Sequence, residues 1–146
     1  MLNIIRQSWG WTGLDPAAIV GVNEFGNVLV RSADDTFWRI YPEELSGKLL
    51  GRTQCEFDAT WRDDVFQHDW QMTRLVQIAC AKLGPPGTGR CFCMKLSSGL
   101  GGRYEEDNFG IISHEELITF TGDVARQIKD VPDGATIQFT LDDKRI

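Results

Sequence analysis

The sequence has no apolar run close to the roughly 20 residues that a membrane-spanning helix needs, so no transmembrane helix is expected. Its N-terminus, MLNIIRQSWGW, lacks the charged-then-apolar pattern of a secretion signal. Internal repeats, linkers and low-complexity segments are also missing. Together these absences predict one cytoplasmic domain spanning residues 1–146, long enough to bury about two-thirds of its unfolded surface.

Basic residues are scarce relative to acidic ones, with 15 Lys and Arg against 21 Asp and Glu and a net charge of −6. Because negative charge is repelled by phosphate backbones and anionic lipids, neither nucleic acid nor a membrane is expected as a direct partner. The charge is compatible with a basic protein partner and also with simple solubility. Charge alone favours solubility.

Only two histidines are present, and neither belongs to a catalytic signature. His68 and Asp69 are neighbours, but consecutive helical residues project about 100° apart, so adjacency alone makes no dyad. His114 lies in a predicted helix cap, where exposure is expected. A nucleophile, a base and an orienting group are required together, so the sequence predicts no enzyme and no catalytic residue. An enzyme using Asp69 or His68 would need those side chains to line a polar cleft.

The four cysteines are expected to stay reduced in the cytoplasm, with Cys80 on a core face. Cys91 and Cys93 are two residues apart in a predicted strand and point to one sheet face, which is typical of small core residues. No Cys or His pair has the two-to-four-residue gap usual in zinc sites. No metal ion and no cofactor are therefore predicted.

Residues 84–91, GPPGTGRC, have the glycines of a nucleotide-binding P-loop but not its chemistry. A P-loop needs Lys and Ser or Thr where this chain has Arg90 and Cys91. The segment also follows a predicted helix and precedes a predicted strand, the reverse of the order that cradles phosphate. We interpret it as a turn.

The strongest helical pattern runs from residue 63 to residue 84, from a Thr60–Asp63 cap to a stop at Gly84. The residues expected on its apolar face are Val65, Met72, Thr73, Val76, Ala79, Cys80 and Leu83. Asp69 falls near the centre of that face, where a carboxylate needs compensation. Buried N–H groups or an arginine such as Arg39 are the expected partners.

Shorter patterns predict the remaining elements. These are a helix from Asp15 to Val20, hairpin strands 25–31 and 36–41, a helical turn 42–45, a third strand 48–52, a short helix near 55–61, a strand 91–96, a helix 114–129 opened by a Ser113 capping box, and an edge strand 136–141. The last helix is expected to bury Leu117, Phe120, Val124 and Ile128. The order predicts an α+β fold, a mostly antiparallel sheet covered by one long helix and a second C-terminal helix.

The segment 97–108, SSGLGGRYEEDN, follows neither period and reads as an irregular loop. Its glycines allow close backbone approach, and its acids form a solvent-facing cluster. It is either a surface loop packed by Leu100 and Tyr104 or a partner-binding loop that presents acids to basic residues. Composition alone favours neither.

Several short blocks resemble one bacterial family. They are Trp9-Gly10-Trp11-Thr12-Gly13-Leu14, Asn23-x-Phe25-Gly26-Asn27, Trp38-Arg39-Ile40-x-Pro42-Glu43, Asp69-Trp70-x-Met72, Leu100-Gly101-Gly102-x-Tyr104 and Pro132-Asp133-Gly134. In order, they resemble the C-terminal domain family of Tdi-type type VI secretion immunity proteins, which neutralise DNase effectors and often occur beside GAD-like domains. The resemblance implies a cytoplasmic, non-catalytic, single-domain protein that binds a secreted toxin, a basic nuclease.

Six residues are predicted to face that partner: Asp34, Asp35, Tyr104, Glu105, Glu106 and Asp107. A basic DNA-binding surface would associate quickly with such acids. The alternative is a small-ligand or regulatory module that uses the glycine-rich loop 97–108.

Overall fold

The computed structural model describes residues 1–138. The first part of the chain forms α1 (Leu2–Trp9), β1 (Pro16–Val22), β2 (Val28–Ser32), β3 (Phe37–Tyr41), β4 (Ser46–Gly51), α2 (Gln54–Arg62), α3 (Asp64–Gln71) and α4 (Thr73–Leu83). The second part forms β5 (Arg90–Met94), β6 (Phe109–Ser113) and α5 (His114–Ile128). None of the described helices combines the length and the apolar character needed to cross a membrane.

Strands β1 to β4 form one antiparallel sheet in chain order. The predicted hairpin is confirmed as β2 and β3, with Val28 opposite Ile40. The predicted third strand is β4, and the predicted helical turn before it is a 3-10 turn at Pro42–Glu44.

The helix predicted from Asp15 to Val20 is wrong, because this segment forms the edge strand β1. Pro16 is the first residue of the strand, a position where its missing N–H is tolerated. The β-branched residues Ile19, Val20 and Val22 follow, and they favour strand over helix. Their preference outweighs the helix-start signal of Asp15.

The single long helix predicted over residues 63–84 is two helices, α3 and α4, which meet at Met72. Met72 adopts a left-handed conformation with φ of 46°. Asn23 Nδ2 donates to the carbonyl of Trp70 at 2.9 Å, so the end of α3 is held by another part of the chain. The predicted capping box, with Thr60 as the N-cap and Asp63 three residues later, is wrong. Asp63 is itself the N-cap of α3, and Thr60 lies within α2, whose N-cap is Thr53.

Some residues predicted to be buried are exposed. Val65 in α3 is 77% exposed, and Cys80 in α4 is also exposed. In α5, Phe120 is 60% exposed, whereas Leu117 and Val124 are buried as predicted. Each helix therefore buries a narrower stripe than its sequence pattern indicates.

Strand β5 confirms the predicted strand 91–96, and it pairs antiparallel with β6, which was not predicted. The Ser113 cap of α5 is confirmed, since its Oγ accepts from the Glu116 N–H at 3.1 Å. Residues 136–138 form no strand, and the rest of the predicted edge strand 136–141 lies outside the described residues.

The four-stranded sheet is covered on both faces. Val28, Val30 and Ile40 pack with Ile5 of α1 and Ile118 of α5. On the other face, Leu29 and Phe37 pack against Phe57 of α2 and Trp70 of α3. A third cluster joins Phe25, Phe92 and Phe109 to α4. The α+β class is confirmed, with several short helices in place of one long cover.

Candidate partner-binding surface

Tyr104, the aromatic residue of the predicted partner-binding loop, borders a cleft beyond the end of β3. Its hydroxyl donates to Ser98 Oγ at 3.2 Å, and Ser98 Oγ donates to the carbonyl of Glu43 at 2.8 Å. The cleft has a volume of about 230 Å³. We name it the Tyr104 cleft, and its lining is Glu43, Glu44, His68, Asp69, Met72, Thr73, Arg74, Leu75 and Tyr104. Burial, with smaller contributions from nearby carboxylates, raises the pKa of Tyr104.

The glycine-rich loop approaches its neighbours closely, as its composition predicted. A Cβ at Gly99 would lie 2.7 Å from the carbonyl oxygen of Glu44, and one at Gly102 would overlap the carbonyl oxygen of Leu96. Asn108 closes the base of the loop, because its Nδ2 donates to the Leu96 carbonyl at 2.8 Å and its Oδ1 accepts from the Leu96 N–H at 2.9 Å. The acids that precede Asn108 are therefore displayed from an anchored loop.

All three acids of this loop are exposed, but two of them have basic neighbours. Asp107 pairs with Lys82 at 2.8 Å, and this hydrogen bond lowers the pKa of Asp107. Glu105 lies 3.7 Å from Arg103. Glu106 forms no ion pair with any described residue. Local bases thus offset part of the charge that this loop offers to a partner.

Asp34 and Asp35 occupy the exposed turn between β2 and β3. Hydrogen bonds from the Thr36 side chain and N–H lower the pKa of Asp34, and Asp35 pairs with Arg31 at 3.0 Å. Strand β3 separates this turn from Tyr104 by roughly 20 Å, at about 3.3 Å per residue. The structure brings Tyr104 and the loop acids together and places the two turn aspartates elsewhere.

A buried polar network lies beneath the Tyr104 cleft. Arg39 is fully buried on the sheet face that α3 covers. Its Nε donates to Asn27 Oδ1 at 2.9 Å and its Nη1 donates to Asp69 Oδ2 at 2.7 Å. Asn27 Nδ2 in turn donates to Glu43 Oε2 at 2.8 Å. We call these four residues the Arg39 network, which joins the sheet to α3 and to the 3-10 turn after β3.

The predicted pairing of Asp69 with Arg39 is confirmed, although the position of Asp69 differs from the prediction. The Asp69 side chain is 62% exposed, so it reaches a buried cation from the rim of the cleft rather than lying in the core. Such a carboxylate keeps most of its hydration, which lowers the desolvation cost of the pair.

Aromatic rings compensate the remaining charge of Arg39. Its Cζ lies 4.1 Å from the ring centroid of Tyr41 and 5.1 Å from that of Trp70. Its Nη2 is buried and has no hydrogen-bond partner among the described residues. A guanidinium over aromatic faces gains cation–π attraction, which stabilises it where hydrogen bonds are incomplete.

The turn between β1 and β2 positions this network. Asn23 Oδ1 accepts from the Asn27 N–H at 2.9 Å, and Asn23 Nδ2 donates to Trp70 of α3. At Gly26, φ is +74° and a Cβ would lie 2.5 Å from Leu117 Cδ2. No structural role was predicted for this turn, although asparagines flanking a glycine are a recognised turn signal.

Glu43 is the most perturbed carboxyl group of the cleft. It is almost completely buried, and that burial raises its pKa to about 7, against opposing hydrogen bonds and the nearby Arg39. A carboxyl group of this kind changes charge near neutral pH. The three cleft carboxylates therefore carry less net charge than their number indicates, because Asp69 faces Arg39 and Glu44 pairs with Lys48 at 3.0 Å.

The histidines occupy different environments. His68 and Asp69 both line the cleft, but the His68 side chain forms no hydrogen bond with a described residue. His114 is half-buried rather than exposed as expected, with Nε2 3.1 Å from the carbonyl oxygen of Gly26. Burial lowers the pKa of His114.

The four cysteines are free, and Cys91 is buried as predicted. Burial raises the pKa of Cys91 to about 12, so its thiol stays protonated and unreactive at neutral pH. The expectation that Cys80 lies in the core is wrong.

Within residues 1–138, no three His, Cys, Asp or Glu side chains are grouped so as to hold a metal ion. The glycine-rich segment after α4 leads into β5, the helix-then-strand order expected above.

The matched part of the chain begins just before α2 and ends inside α5. Residues 52–125 match the family model described as T6SS immunity protein Tdi1, C-terminal, and the chain belongs to this family of type VI secretion immunity proteins. The match includes the Tyr104 loop and Asp69, whereas the Asn23–Asn27 turn and Arg39 lie outside it. Curated protein sequences give no match.

Proposed function

We propose that this protein binds a cognate type VI effector, a nuclease, in the cytoplasm and neutralises it by protein–protein contact without catalysis. Membership of the immunity family is the observation that carries this proposal. A net charge of −6 adds support, because a nuclease must present a basic surface to DNA. An acidic protein approaches such a surface faster than a neutral one.

Within this proposal, the loop acids and Tyr104 are the part of the surface that first meets the toxin. Glu106 has no basic partner among the described residues, and Glu105 has only a distant one at 3.7 Å. Asp34 and Asp35, at the far end of β3, would contact only a partner that extends along the hairpin. Contact inhibits either by covering the active site or by holding the toxin in an inactive shape. Competition with DNA for binding distinguishes the two.

Association kinetics test the role of the loop. Glu105→Lys with Glu106→Lys changes the charge by the same amount as Asp130→Lys with Asp133→Lys, exposed positions after α5. The probe is the cognate type VI effector, with its nuclease centre inactivated. We expect the loop variant to associate about tenfold more slowly and with a weaker salt dependence. Equal association rates for the two variants would remove the loop from the interface.

A second candidate function, small-ligand binding, has one observation in its favour. A cavity of about 850 Å³ is bordered by the glycine-rich loop at Gly99–Gly101, by Leu45 and by α5 at Ile128. Among residues 1–138, Lys129 and Asp133 are its charged lining residues, so few described polar groups converge to orient a ligand. A thermal shift with a metabolite panel, without a shift from the effector, would favour this function.

A further inference from the structure

The surface of α2 and α3 exposes an apolar residue that the fold does not need. Val65 lies in the first turn of α3 and is 77% exposed. It borders a shallow groove with Ala59, Thr60, Asp63, Phe66 and Asp69. We call this surface the α2–α3 face. At this exposure Val65 buries little apolar area, so its contribution to the packing of the fold is small.

Phe66, which lines the groove, belongs to a cluster of aromatic rings around Trp61. Trp61 lies 6.2 Å from Phe57, 6.2 Å from Phe66 and 6.0 Å from Trp70, measured between ring centroids. Trp61 is itself 38% exposed. Rings held in this way form a rigid base, which reduces the entropy lost when a partner binds.

Helices α2 and α3 are rich in acidic residues, and Asp63 and Asp69 line the groove. Helices α2 and α3 and their caps contain Glu56, Asp58, Asp63 and Asp64, besides Asp69, and the one Lys or Arg among them is Arg62. None of the first four belongs to an ion pair among the described residues. The charge of these four carboxylates is therefore not offset by a described basic side chain, whereas Asp107 of the loop is bound to Lys82.

The α2–α3 face is continuous with the Tyr104 cleft. Asp69 borders both, since its side chain lines the groove beside Val65 and the cleft beside Tyr104. Its Oδ2 accepts from Arg39, while its Oδ1 accepts from no described residue. A partner that covers the loop therefore reaches the groove without leaving the surface.

An apolar centre within a charged rim is the usual anatomy of a protein-binding site. We propose that the α2–α3 face anchors the effector, by taking a basic protein surface that inserts an apolar side chain against Val65 while its Lys or Arg residues surround the groove. This inference rests on the proposed function, and it identifies the part of the surface that contributes most of the binding energy. A second copy of this chain would bind this face weakly, because the carboxylates of the two copies would repel each other.

Two matched substitutions test the anchor. Val65→Gln and Phe120→Gln each replace an exposed apolar residue of a helix, on α3 and α5 respectively. Binding to the inactivated cognate effector is measured by surface plasmon resonance. We expect V65Q to weaken binding at least tenfold, mainly through faster dissociation, and F120Q to change it less than twofold. Unchanged melting temperatures would show that both variants are folded.

The outcomes separate this inference from the function on which it rests. Wild-type affinity in V65Q overturns the anchor and leaves an effector-binding protein. Failure of the wild-type protein to bind overturns both. A wild-type dimer that V65Q dissociates in analytical ultracentrifugation shows that a second copy covers the face, and this also overturns the anchor.

A charge variant provides an independent test. Asp63→Asn with Asp64→Asn removes two charges and keeps the cap of α3, because Asn caps as well as Asp. We expect slower association, roughly three- to tenfold, with little change in dissociation. An unchanged association rate at low salt would contradict a basic partner at this face.

Discussion

The Arg39 network and the α2–α3 face depart from the usual distribution of residues in opposite directions. The network puts a charged guanidinium inside, with Arg39 fully buried, whereas the face puts an aliphatic side chain outside at Val65. Both features meet at Asp69, which binds Arg39 on one side and borders the groove on the other. The difference teaches which residues hold the molecule together and which are available to a partner.

Buried charge in this protein has a structural explanation that does not require a ligand. Asn27, Asp69 and the Tyr41 ring together stabilise most of the buried charge of Arg39. The role of Arg39 is therefore to join α3 to the sheet. Among the described residues, no comparable internal contact explains the presence of valine at position 65. Substitutions in the Arg39 network should therefore lower the free energy of unfolding. Substitutions on the α2–α3 face should leave that free energy nearly unchanged and weaken binding to the effector.

The largest stability effect is expected for Arg39→Met. This change leaves Asn27 Oδ1 buried without its donor and removes the cation–π contact with Tyr41, so unfolding free energy should fall by about 3 kcal/mol. Urea denaturation followed by tryptophan fluorescence measures it. Arg31→Met, which breaks only the exposed pair with Asp35, should cost about 0.5 kcal/mol. Equal losses in the two variants would contradict a structural network.

Gly26→Ala should have the next largest effect. The new Cβ meets Leu117 and Cys91 in a left-handed backbone conformation, and we expect a loss of about 2 kcal/mol. Gly87→Ala is the control, because its φ is also positive, at +89°, but nothing lies within 4 Å of the new Cβ. That variant should lose about 1 kcal/mol. If the two lose the same amount in thermal denaturation, close packing at Gly26 is refuted.

Glu43 should make stability depend on pH. Its pKa in the folded protein, about 7, is higher than its ordinary value of 4.5, so the folded state holds a proton that the unfolded state releases. The stability that this group contributes is present below pH 4.5 and is lost as the pH rises through 7. Glu43→Gln should be less sensitive over that window and more stable than wild type at pH 8, by on the order of 1 kcal/mol. Urea denaturation at pH 5 and pH 8 checks this, and parallel pH profiles would argue against it.

The smallest effect is expected for Val65→Gln. Because the Val65 side chain is 77% exposed, its replacement should change the unfolding free energy by less than about 0.5 kcal/mol. Calorimetry of the isolated protein measures it. A loss of several kcal/mol would assign Val65 to the fold and remove the contrast with the network.

Local signals predicted local structure well. The Ser113 cap of α5 and the β2–β3 hairpin are confirmed, because capping and pairing of adjacent strands depend on residues close in sequence. The break at Met72 was not predicted, since no glycine marks it. It accompanies a contact with Asn23, nearly fifty residues earlier in the chain. Tertiary contacts of this kind are invisible to helical periodicity.

The candidate site was predictable in part. The pairing of Asp69 with Arg39 was one of the expected alternatives, because a carboxylate in an apolar pattern needs a partner. The burial of Glu43 and the exposure of Val65 were not expected. Both depend on how α2, α3 and the 3-10 turn after β3 pack on the sheet, which residue spacing within one element does not determine.

Titration of the cognate effector with this protein tests the central claim most directly. Nuclease activity of the purified effector is measured while the protein is added in increasing molar ratio. Stoichiometric binding predicts that activity falls linearly and is lost near one protein per effector. Full activity at saturating excess would contradict inhibition by direct contact.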